Sequence, residues 1–580
     1  MKYSNYLYRS VSFILLLSFS IACKKNLLDK LPQDQVSSEI FFLHTNDLKI
    51  YMNQFYSDAI FPVLWGIILD NPYPGGADDF NSDNQISSNA ADDRLKGTRT
   101  VYSAPSLGGW DYTNIRAINY FFDNYRKCED DFNAYKQYVG EAHFFRAWLY
   151  FRLLQQFGNV PYISVVLGTD SPELYGPQTA RNIVADNILA DLDSAATYLP
   201  EEKTEGGTRL DKWSALLLLT RVALYEGAWE KYHNGDAFGA SAADPDKYFN
   251  QVVTAATEMM NSGKLALYNT GNPATDYYDL FKMRDYSDSK EALLWKKFSV
   301  ALDITNNRNY RLEYPFGRSL TKGLADAYLC TDGKPIAVSP LFGGFNTLSD
   351  EMKNRDPRFY QTIFTPSAAW KITNMTEPWQ DAYVKLNSSS EFYAPTGYVL
   401  RKTYDPDMNN HSLNYEETPA IHFRYAEALL NFAEAKAELG TITQADLDRS
   451  IGLLRARAGM PALNMAAIAT DPNWEFPGLS PLLNEIRRER RVELATEGFR
   501  WPDIARWAAA DELIIGKRPK GFKGAQIASA FFPVDANGFL DPFRDALPAG
   551  YGFNPARDYL DPIPPNEIIL NPKLVQNPGW

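Results

Sequence analysis

The sequence predicts a mainly α protein, in which paired helices form a scaffold and a second half is irregular and loop-rich, with few short strands. Apolar residues recur at helical spacing through much of residues 46–263. Residues 264–413 are instead rich in loops, with short β-like runs at 292–298 and 398–402. We therefore divide the chain into an N-terminal helical region, 46–263, and a C-terminal region, 264–580, within one intertwined globular unit.

The first residues have the pattern of an export signal. Two basic residues precede an apolar run from Val11 to Ile21, which is too short to span a bilayer as a helix. The small residue before Cys23 suits cleavage and lipidation of that cysteine, although Ser20 stands where a lipoprotein signal usually has Leu. We predict a lipoprotein signal peptide over residues 1–22 and a lipidated tether over 23–45. Ordinary signal cleavage that leaves a spare thiol is the alternative.

Charge balance and cysteine content narrow the class of protein. Among 580 residues, 71 Asp and Glu outnumber 58 Lys and Arg, giving a net charge of -13, so a nucleic-acid partner is not expected. Three cysteines are too few for a disulfide framework. We expect Cys128 and Cys330 to be separate buried thiols, with a bond between them as the alternative. Aromatic residues, at 14%, suit both a large core and a surface that stacks on sugar rings.

The helices of the scaffold follow one another with polar segments between them. They are predicted at residues 46–59, 110–127, 135–157, 180–198, 212–232 and 247–262. A similar pair is expected at residues 426–461, where small residues precede a second helix at 444–458. Each pair resembles a tetratricopeptide unit, which has about 34 residues. The pairs are too far apart and too divergent for a regular solenoid, so we predict tetratricopeptide-like pairs with large insertions.

Two irregular stretches carry polar groups beside aromatic rings. Residues 71–97 form a long Gly-rich loop that contains NPYPGGADDFNSDNQ, and a loop of this length in a globular domain is often functional. The second stretch lies within residues 264–413, and such loops on a rigid scaffold suit ligand capture. Its candidate ligand-binding residues are Asn307, Arg308, Tyr310, Tyr314, Trp370 and Trp379. Core or interface packing is an equally good account of any one of them.

The helix predicted at Glu485–Thr496 has an unusual charge pattern. With Glu497 beyond its end, Glu485, Glu489 and Glu493 recur every fourth residue and place like charges on one face. Because few opposite charges lie within the helix, we expect its Glu and Arg side chains to pair with distant residues in a buried ionic network. A solvated charged face is the alternative, and it predicts that mutations there cost little stability.

The C-terminal tail, from Tyr559 to Trp580, is rich in proline. Proline removes backbone donors, so an extended strap with few internal hydrogen bonds is expected. Such a strap is ordered only when it docks on other elements. We therefore predict that it covers part of the helical core.

Five separated segments together resemble one protein family. They are LLDKLPQDQVSSEIFF at residues 27–42, RAWLYFRLLQQFGNVP at 146–161, LADAYLCTDGKPI at 324–336, ERRVELATEGFRWPDIARW at 489–507 and YLDPIPPNEIILNPKLVQNPGW at 559–580. These motifs resemble those of the SusD/RagB family, whose members are outer-membrane lipoproteins that capture nutrients. They span nearly the whole mature chain.

The resemblance implies a mainly α fold of tetratricopeptide-like helix pairs, with an irregular, loop-rich ligand-binding half laid over them. It also implies a function. It implies a lipid-anchored protein on the outside of the outer membrane, which captures oligosaccharides and passes them to a SusC-like TonB-dependent transporter beneath it. In that role no bond is made or broken and no cofactor is expected. In the family, the equivalent of the loop at residues 71–97 helps to shape the ligand face. This implicates Tyr73, Asp78, Asp79 and Asn81, with plain solvated turns as the alternative.

No local motif for catalysis or for a metal centre is found. HExxH, GxSxG, P-loop and CxxC patterns are missing, and the five His residues lie far apart. Asp535, Asn537 and Asp541 loosely suggest a calcium loop but lack the full ligand series, so we predict no metal. A secreted helical glycosidase is an alternative function, because its two carboxyl groups need no local motif. Capture of peptides by a member of the same family is the other.

Overall fold

The described part of the protein is mainly α-helical, as the sequence predicts. The computed structural model describes residues 41–58, 60–62, 79–87, 92–101, 109–313, 315, 317–365, 369–372, 376–378, 394–407, 411, 415–523 and 533–580. The predicted signal peptide, the lipidation site Cys23 and most of the tether lie outside these residues.

The helices of the N-terminal half lie at their predicted positions with two exceptions: the first ends at Asn53 rather than residue 59, and Asp93–Lys96 is a short helix in a stretch predicted to be a loop. They are α1 Thr45–Asn53, α2 Asp93–Lys96, α3 Thr113–Asn124, α4 Phe132–Phe157, α5 Arg181–Tyr198, α6 Lys212–Tyr232 and α7 Pro245–Asn261. The side chains of Asp131, Asp211 and Asp244 accept hydrogen bonds from backbone N–H groups in the first turns of α4, α6 and α7. These caps explain why α4, α6 and α7 begin where they do.

The C-terminal half contains shorter helices and the strands. Its helices are α8 Asp276–Leu280, α9 Arg308–Glu313, α10 Lys322–Ala327, α11 Leu348–Met352, α12 Pro357–Thr362, α13 Tyr425–Glu438, α14 Gln444–Asp448, α15 Ile451–Arg457, α16 Pro481–Glu493, α17 Arg500–Arg506, α18 Ala510–Leu513 and α19 Pro565–Leu570. The strands are β1 Gln85–Ser87, β2 Ala292–Lys296, β3 Arg318–Leu320, β4 Ala369–Ile372, β5 Thr376–Pro378 and β6 Ala420–Arg424. They pair antiparallel as β1–β3, β2–β6 and β4–β5.

Three predicted elements differ from the structure. The run at 398–402 forms isolated bridges rather than a strand. The single helix predicted at 444–458 is broken between α14 and α15, where the Ser450 hydroxyl donates to the Asp446 carbonyl at 2.6 Å and competes with helical hydrogen bonding. Helix α16 begins at Pro481, after the Ser480 cap, and ends at Glu493, three residues before the predicted end.

Helix α6 lies at the centre of the scaffold. Seventeen of its residues are buried, including polar ones such as Thr220 and Glu226, so it is covered on every side. It packs against α5 and α7, and α4 packs against α5. Helix α13, from the C-terminal half, packs against both α6 and α7. The helix pairs therefore share one large apolar core, and the boundary predicted at residue 263 stays a prediction.

The charged helix α16 is buried, and its glutamates form the predicted ionic network. Glu493 accepts from Arg457 at 2.6 Å, from Arg424 at 2.7 Å and from Arg358 at 3.1 Å. The remaining pairs of this face are Glu489 with Arg358 and Arg455, Glu485 with Arg455, and Glu497 with Arg424 and Lys402. Burial alone would raise the pKa of Glu493, yet the three guanidinium groups hold that pKa far below its usual range. The solvated-face alternative is wrong.

The arginines of α16 pair in other directions. Arg490 donates to Asp503 at 2.7 Å and to the side chain of Asn431 on α13 at 2.7 Å. Arg487 lies 3.3 Å from Glu438 on the same helix α13. One short helix thus connects the helical scaffold with the loop-rich half through charged hydrogen bonds.

The C-terminal strap docks on the helices, as predicted. Tyr559, Leu560 and Ile563 are buried in the main core. Asp561 accepts hydrogen bonds from Arg94 at 2.7 Å and from the Gln156 side chain of α4 at 2.8 Å. Contrary to the prediction, the strap is not extended throughout, because residues Pro565–Leu570 form α19, whose first turn tolerates the missing N–H of Pro565. The rest of the strap takes its order from these contacts with other elements.

The two cysteines in the described part are free and buried, which confirms the prediction of separate thiols. Burial raises the pKa of the Cys128 thiol and of the Cys330 thiol. A thiol in that state is protonated at neutral pH and weakly reactive. Both residues therefore serve the packing of the fold.

Replacing Glu493 with Gln is expected to lower the free energy of unfolding by about 3–5 kcal/mol, because three buried guanidinium groups lose their anionic partner. Urea denaturation of both proteins at pH 7 measures this free energy of unfolding. Glu202→Gln is the matched control, since Glu202 pairs with Lys264 and is 79% exposed; no measurable loss is expected there. Equal, small losses in both variants would contradict the buried network.

A second prediction concerns acid stability through Glu434 on α13. Burial raises its pKa, but the Arg506 guanidinium, bonded at 2.6 and 2.7 Å, outweighs burial and lowers the pKa from 4.5 to about 2. A depressed carboxyl pKa gives stability that is complete above about pH 4.5 and is lost as pH falls toward about 2. The stability difference between wild type and Glu434→Gln should therefore shrink over that interval in urea titrations. A difference that stays constant with pH would count against the ion pair.

Candidate ligand-binding site

The segment 79–87 carries the first group of predicted ligand residues, and it lies against the second. Residues Asp79–Asn81 form a turn of 3₁₀ helix that leads into β1. Strand β1 pairs with β3, with Gln85 opposite Leu320 and Ser87 opposite Arg318. Strand β3 follows α9 in the chain. The pairing of β1 with β3 therefore brings together the two stretches that the sequence singles out, although they are far apart in the chain.

Asp79 fastens this segment to the end of α16. It is 1% exposed, and its Oδ2 accepts from the Asn84 side chain at 2.9 Å and from the Thr496 backbone N–H at 2.8 Å. Burial raises its pKa, which these hydrogen bonds offset only in part. Its neighbour Asn81 is half-buried on the same turn. In this structure Asp79 holds the segment in place.

Two arginines of the motif at 489–507 hold the next part of the segment. Arg500 donates to both carboxylate oxygens of Asp83, at 2.6 and 2.8 Å, and Arg491 lies 2.9 Å from the same carboxylate. Arg491 also donates to the Asn84 side chain at 2.7 Å. Although burial acts in the opposite direction, the two guanidinium groups lower the pKa of Asp83. The Asp83 carboxylate is therefore ionised at neutral pH.

Helix α9 carries Arg308 and Tyr310, and Asn307 directly precedes it. Arg308 is 3% exposed and donates to the Pro419 carbonyl at 2.8 Å, and burial lowers its pKa to about 10. The Glu416 carboxylate accepts from the backbone N–H of Tyr310 at 2.9 Å. Asn307 and Tyr310 are half-buried. Arg308 thus anchors α9 to the chain before β6, and the other two lie nearer the surface.

The remaining predicted ligand residues are not placed by the structure. Tyr73, Asp78, Tyr314 and Trp379 lie outside the described residues. Trp370 belongs to strand β4, and its side chain also lies outside the described part. Ligand binding by these residues, as by Asn81, Asn307 and Tyr310, stays a prediction.

A polar cleft of about 500 Å³ lies beside Asp83. Its walls come from α10, the segment 471–475, α16 and the residues 517–520. The charged and aromatic residues that line it are Asp83, Lys322, Asp326, Asp471, Trp474, Glu475, Arg488, Arg491, Lys517, Arg518, Lys520, Asp535, Phe539 and Tyr551. A space of this size falls within the range of small-ligand sites.

Sequence analysis missed most of this cleft. Trp474 lies in the segment DPNWEFPG at residues 471–478, which has the same mixture of rings, prolines and polar groups as the loops that were selected. This mixture of residues is the sequence signal that marks the segment as a candidate. The ligand residues predicted from the sequence, however, all lie within residues 71–97 and 264–413. The lining residues otherwise come from five separate parts of the chain, so no local pattern joins them.

No cluster of three potential metal-binding side chains occurs within the described ranges. In the loop that loosely resembles a calcium site, the Asp541 carboxylate accepts from Arg518 at 3.0 Å and from Lys520. These cations occupy the carboxylate that a calcium ion would need. The structure therefore gives no support for a cation at Asp535 and Asp541.

The fold and the cleft define a class: a helical-scaffold protein with a polar, ligand-sized cleft. The chain matches the family model described as "SusD family" over residues 230–580 and the one described as "Starch-binding associating with outer membrane" over residues 76–224. The first match covers more than half of the chain. The protein belongs to the SusD family, as its motifs imply.

Individual relatives agree with this assignment. SusD-like protein P2 of Formosa agariphila is 24% identical over 576 residues, which are 98% of this chain and 99% of that protein. A SusD-like carbohydrate binding protein of Bacteroides fragilis has a solved structure with a TM-score of 0.71 at 22% identity, covering 92% of this chain and all of that one. A laminarin binding SusD-like protein gives a TM-score of 0.60 at 19% identity and covers 93% of this chain and all of that one.

Asn84→Ala is expected to loosen the segment 79–87. The Asn84 side chain is 1% exposed and bridges Asp79 and Arg491, so its removal leaves buried polar groups unpaired at a cost of about 1–3 kcal/mol. Hydrogen exchange should speed up in residues 79–87 before the rest of the chain. Asn250→Ala, on the exposed side of α7, is the control and should leave that exchange unchanged. Unaltered exchange in Asn84→Ala would refute the clamp.

Proposed function

We propose that this protein is a non-catalytic, cell-surface glycan-binding lipoprotein, which captures oligosaccharides and delivers them to a SusC-like TonB-dependent transporter. The observation that carries the proposal is the polar cleft beside Asp83, held by the family motif itself through Arg491 and Arg500. Membership of the SusD family and the likeness to a solved laminarin binding SusD-like protein support the ligand class.

The cleft suits sugars in its chemistry. Aromatic rings cover the apolar C–H faces of a pyranose, while carboxylate, amide and guanidinium groups exchange hydrogen bonds with its hydroxyls. Each contact is modest, so several together give micromolar affinity, about -8 kcal/mol. Affinity of that order suits capture followed by release to a second protein.

The acids of the cleft argue for binding rather than hydrolysis. A glycosidase needs one carboxyl group that stays protonated at the working pH, which requires a raised pKa. The arginines around Asp83 and Glu475 instead lower the pKa of both carboxyl groups, despite the opposing effect of burial. Both carboxylates therefore remain ionised in ion pairs with arginine and are poor proton donors.

The start of the chain supports attachment to the outer membrane by lipid. The apolar run that ends at Cys23 has the pattern of a lipoprotein signal, and about eighteen residues separate Cys23 from Phe41, the first described residue. In the described part, no helix is long and apolar enough to cross a bilayer. A lipid on Cys23 would hold the folded part at the cell surface, close to its transporter.

The test is calorimetric titration of the chain from Lys24 onward against a panel of oligosaccharides and peptides. Saturable binding to a glycan, with micromolar affinity, is the expected result. Chromatography of each mixture after a day should recover the glycan intact. Fragmented sugar would make the protein a glycosidase, and heat from peptides alone would make it a peptide-capturing member of the family.

A further inference from the structure

We infer that the cleft beside Asp83 is itself a glycan site, with Trp474 as its stacking platform, and that it selects uncharged oligosaccharides. This inference rests on the proposed function, because it names the place and the charge class of the captured ligand. It differs from the sequence-based assignment, which placed the ligand on loops within residues 71–97 and 264–413.

The position of Trp474 favours it as a platform. The residue is half-buried in the wall of the cleft, between Asn473, which is exposed, and Glu475, which is paired with arginine. The Arg488 guanidinium lies 5.1 Å from the ring centre and fixes the orientation of the indole. A ring that is held in place loses little conformational entropy when it stacks on a ligand.

Each acidic side chain in the lining of the cleft is already paired with a cationic one. The lining holds six cationic and five acidic side chains. All five acids lie in ion pairs with Lys or Arg: Asp83 with Arg491, Glu475 with Arg500, Asp535 with Lys520, Asp326 with Lys322 and Asp471 with Arg488. An anionic sugar would have to displace these carboxylates or lie beside them. A neutral sugar meets donors and acceptors without such repulsion.

The exposed groups at the cleft suit hydroxyls. The Asn473 amide both donates and accepts, and Lys517 offers donors from an exposed position. Sugar hydroxyls also both donate and accept hydrogen bonds. Each hydroxyl therefore finds a partner at the cleft, whichever way its O–H points. The paired carboxylates retain free lone pairs that can accept further hydrogen bonds.

The other predicted surface leaves less room among the described residues. Between β1, β3 and residues Val399–Leu400 the enclosed space is about 10 Å³, enough for a single water molecule. On that side Phe80 stacks over the Arg318 guanidinium at 5.8 Å. Of these two spaces, the one beside Trp474 has the size of a small-ligand site.

The experiment titrates the full-length lipidated protein, in detergent micelles, with neutral hexasaccharides (laminari-, cello- and xylo-) and with acidic alginate and galacturonate oligomers. Binding should be confined to a neutral sugar. Trp474→Ala should weaken it about tenfold or more, and Trp474→Phe, which keeps a ring, by no more than about threefold. Tyr175→Ala, at a 52% exposed position outside the cleft lining, should leave the affinity unchanged.

A second variant guards against simple unfolding of Trp474→Ala. Asn473→Trp adds bulk at an exposed position and should also block binding, while the thermal midpoint stays that of the wild type. Unchanged affinity in both variants would overturn the inference and leave glycan capture standing. Tighter binding of the acidic oligomers would overturn the charge class. No binding of any sugar would overturn the proposed function together with this site.

Discussion

The rest of the structure depends on the burial of α16 with its charges. A buried carboxylate must form ion pairs with cations, since an uncompensated buried charge costs several kcal/mol. The glutamate face of α16 therefore dictates where arginines from α12, α15 and the end of β6 must lie. Its arginines likewise fix α13 and the segment 79–87. Elements hundreds of residues apart are placed by this one short helix.

Such a network contributes more to specificity than to stability. Well-packed apolar residues of the same volume often stabilise a core as much as a buried ion pair does. The charged pairs add direction, because a guanidinium group fits a carboxylate in few geometries. Glu493, with three arginines from three separate elements, allows a single arrangement of those elements. The apolar core around α6 supplies the bulk of the burial, and α16 fixes how the loop-rich half lies over it.

The candidate site is an extension of the same network. Arg491 belongs to α16 and Arg500 to the helix after it, and both reach Asp83 and Glu475 at the wall of the cleft. These arginines lower the pKa of the Asp83 and Glu475 carboxyl groups against the effect of burial, so both stand ionised at the wall of the cleft as hydrogen-bond acceptors.

The sequence by itself determined the helical class, the approximate positions of most long helices, the buried network and the family. These follow from properties of neighbouring residues: apolar spacing, local motifs and a glutamate at every fourth position. Only the tertiary structure decided which cations pair with those glutamates, that Asp79 and Arg308 are buried, and that Trp474 lines a cleft. The physical reason is distance along the chain. Arg491 and Asn84 are 407 residues apart yet share a hydrogen bond, and no local periodicity records such a contact.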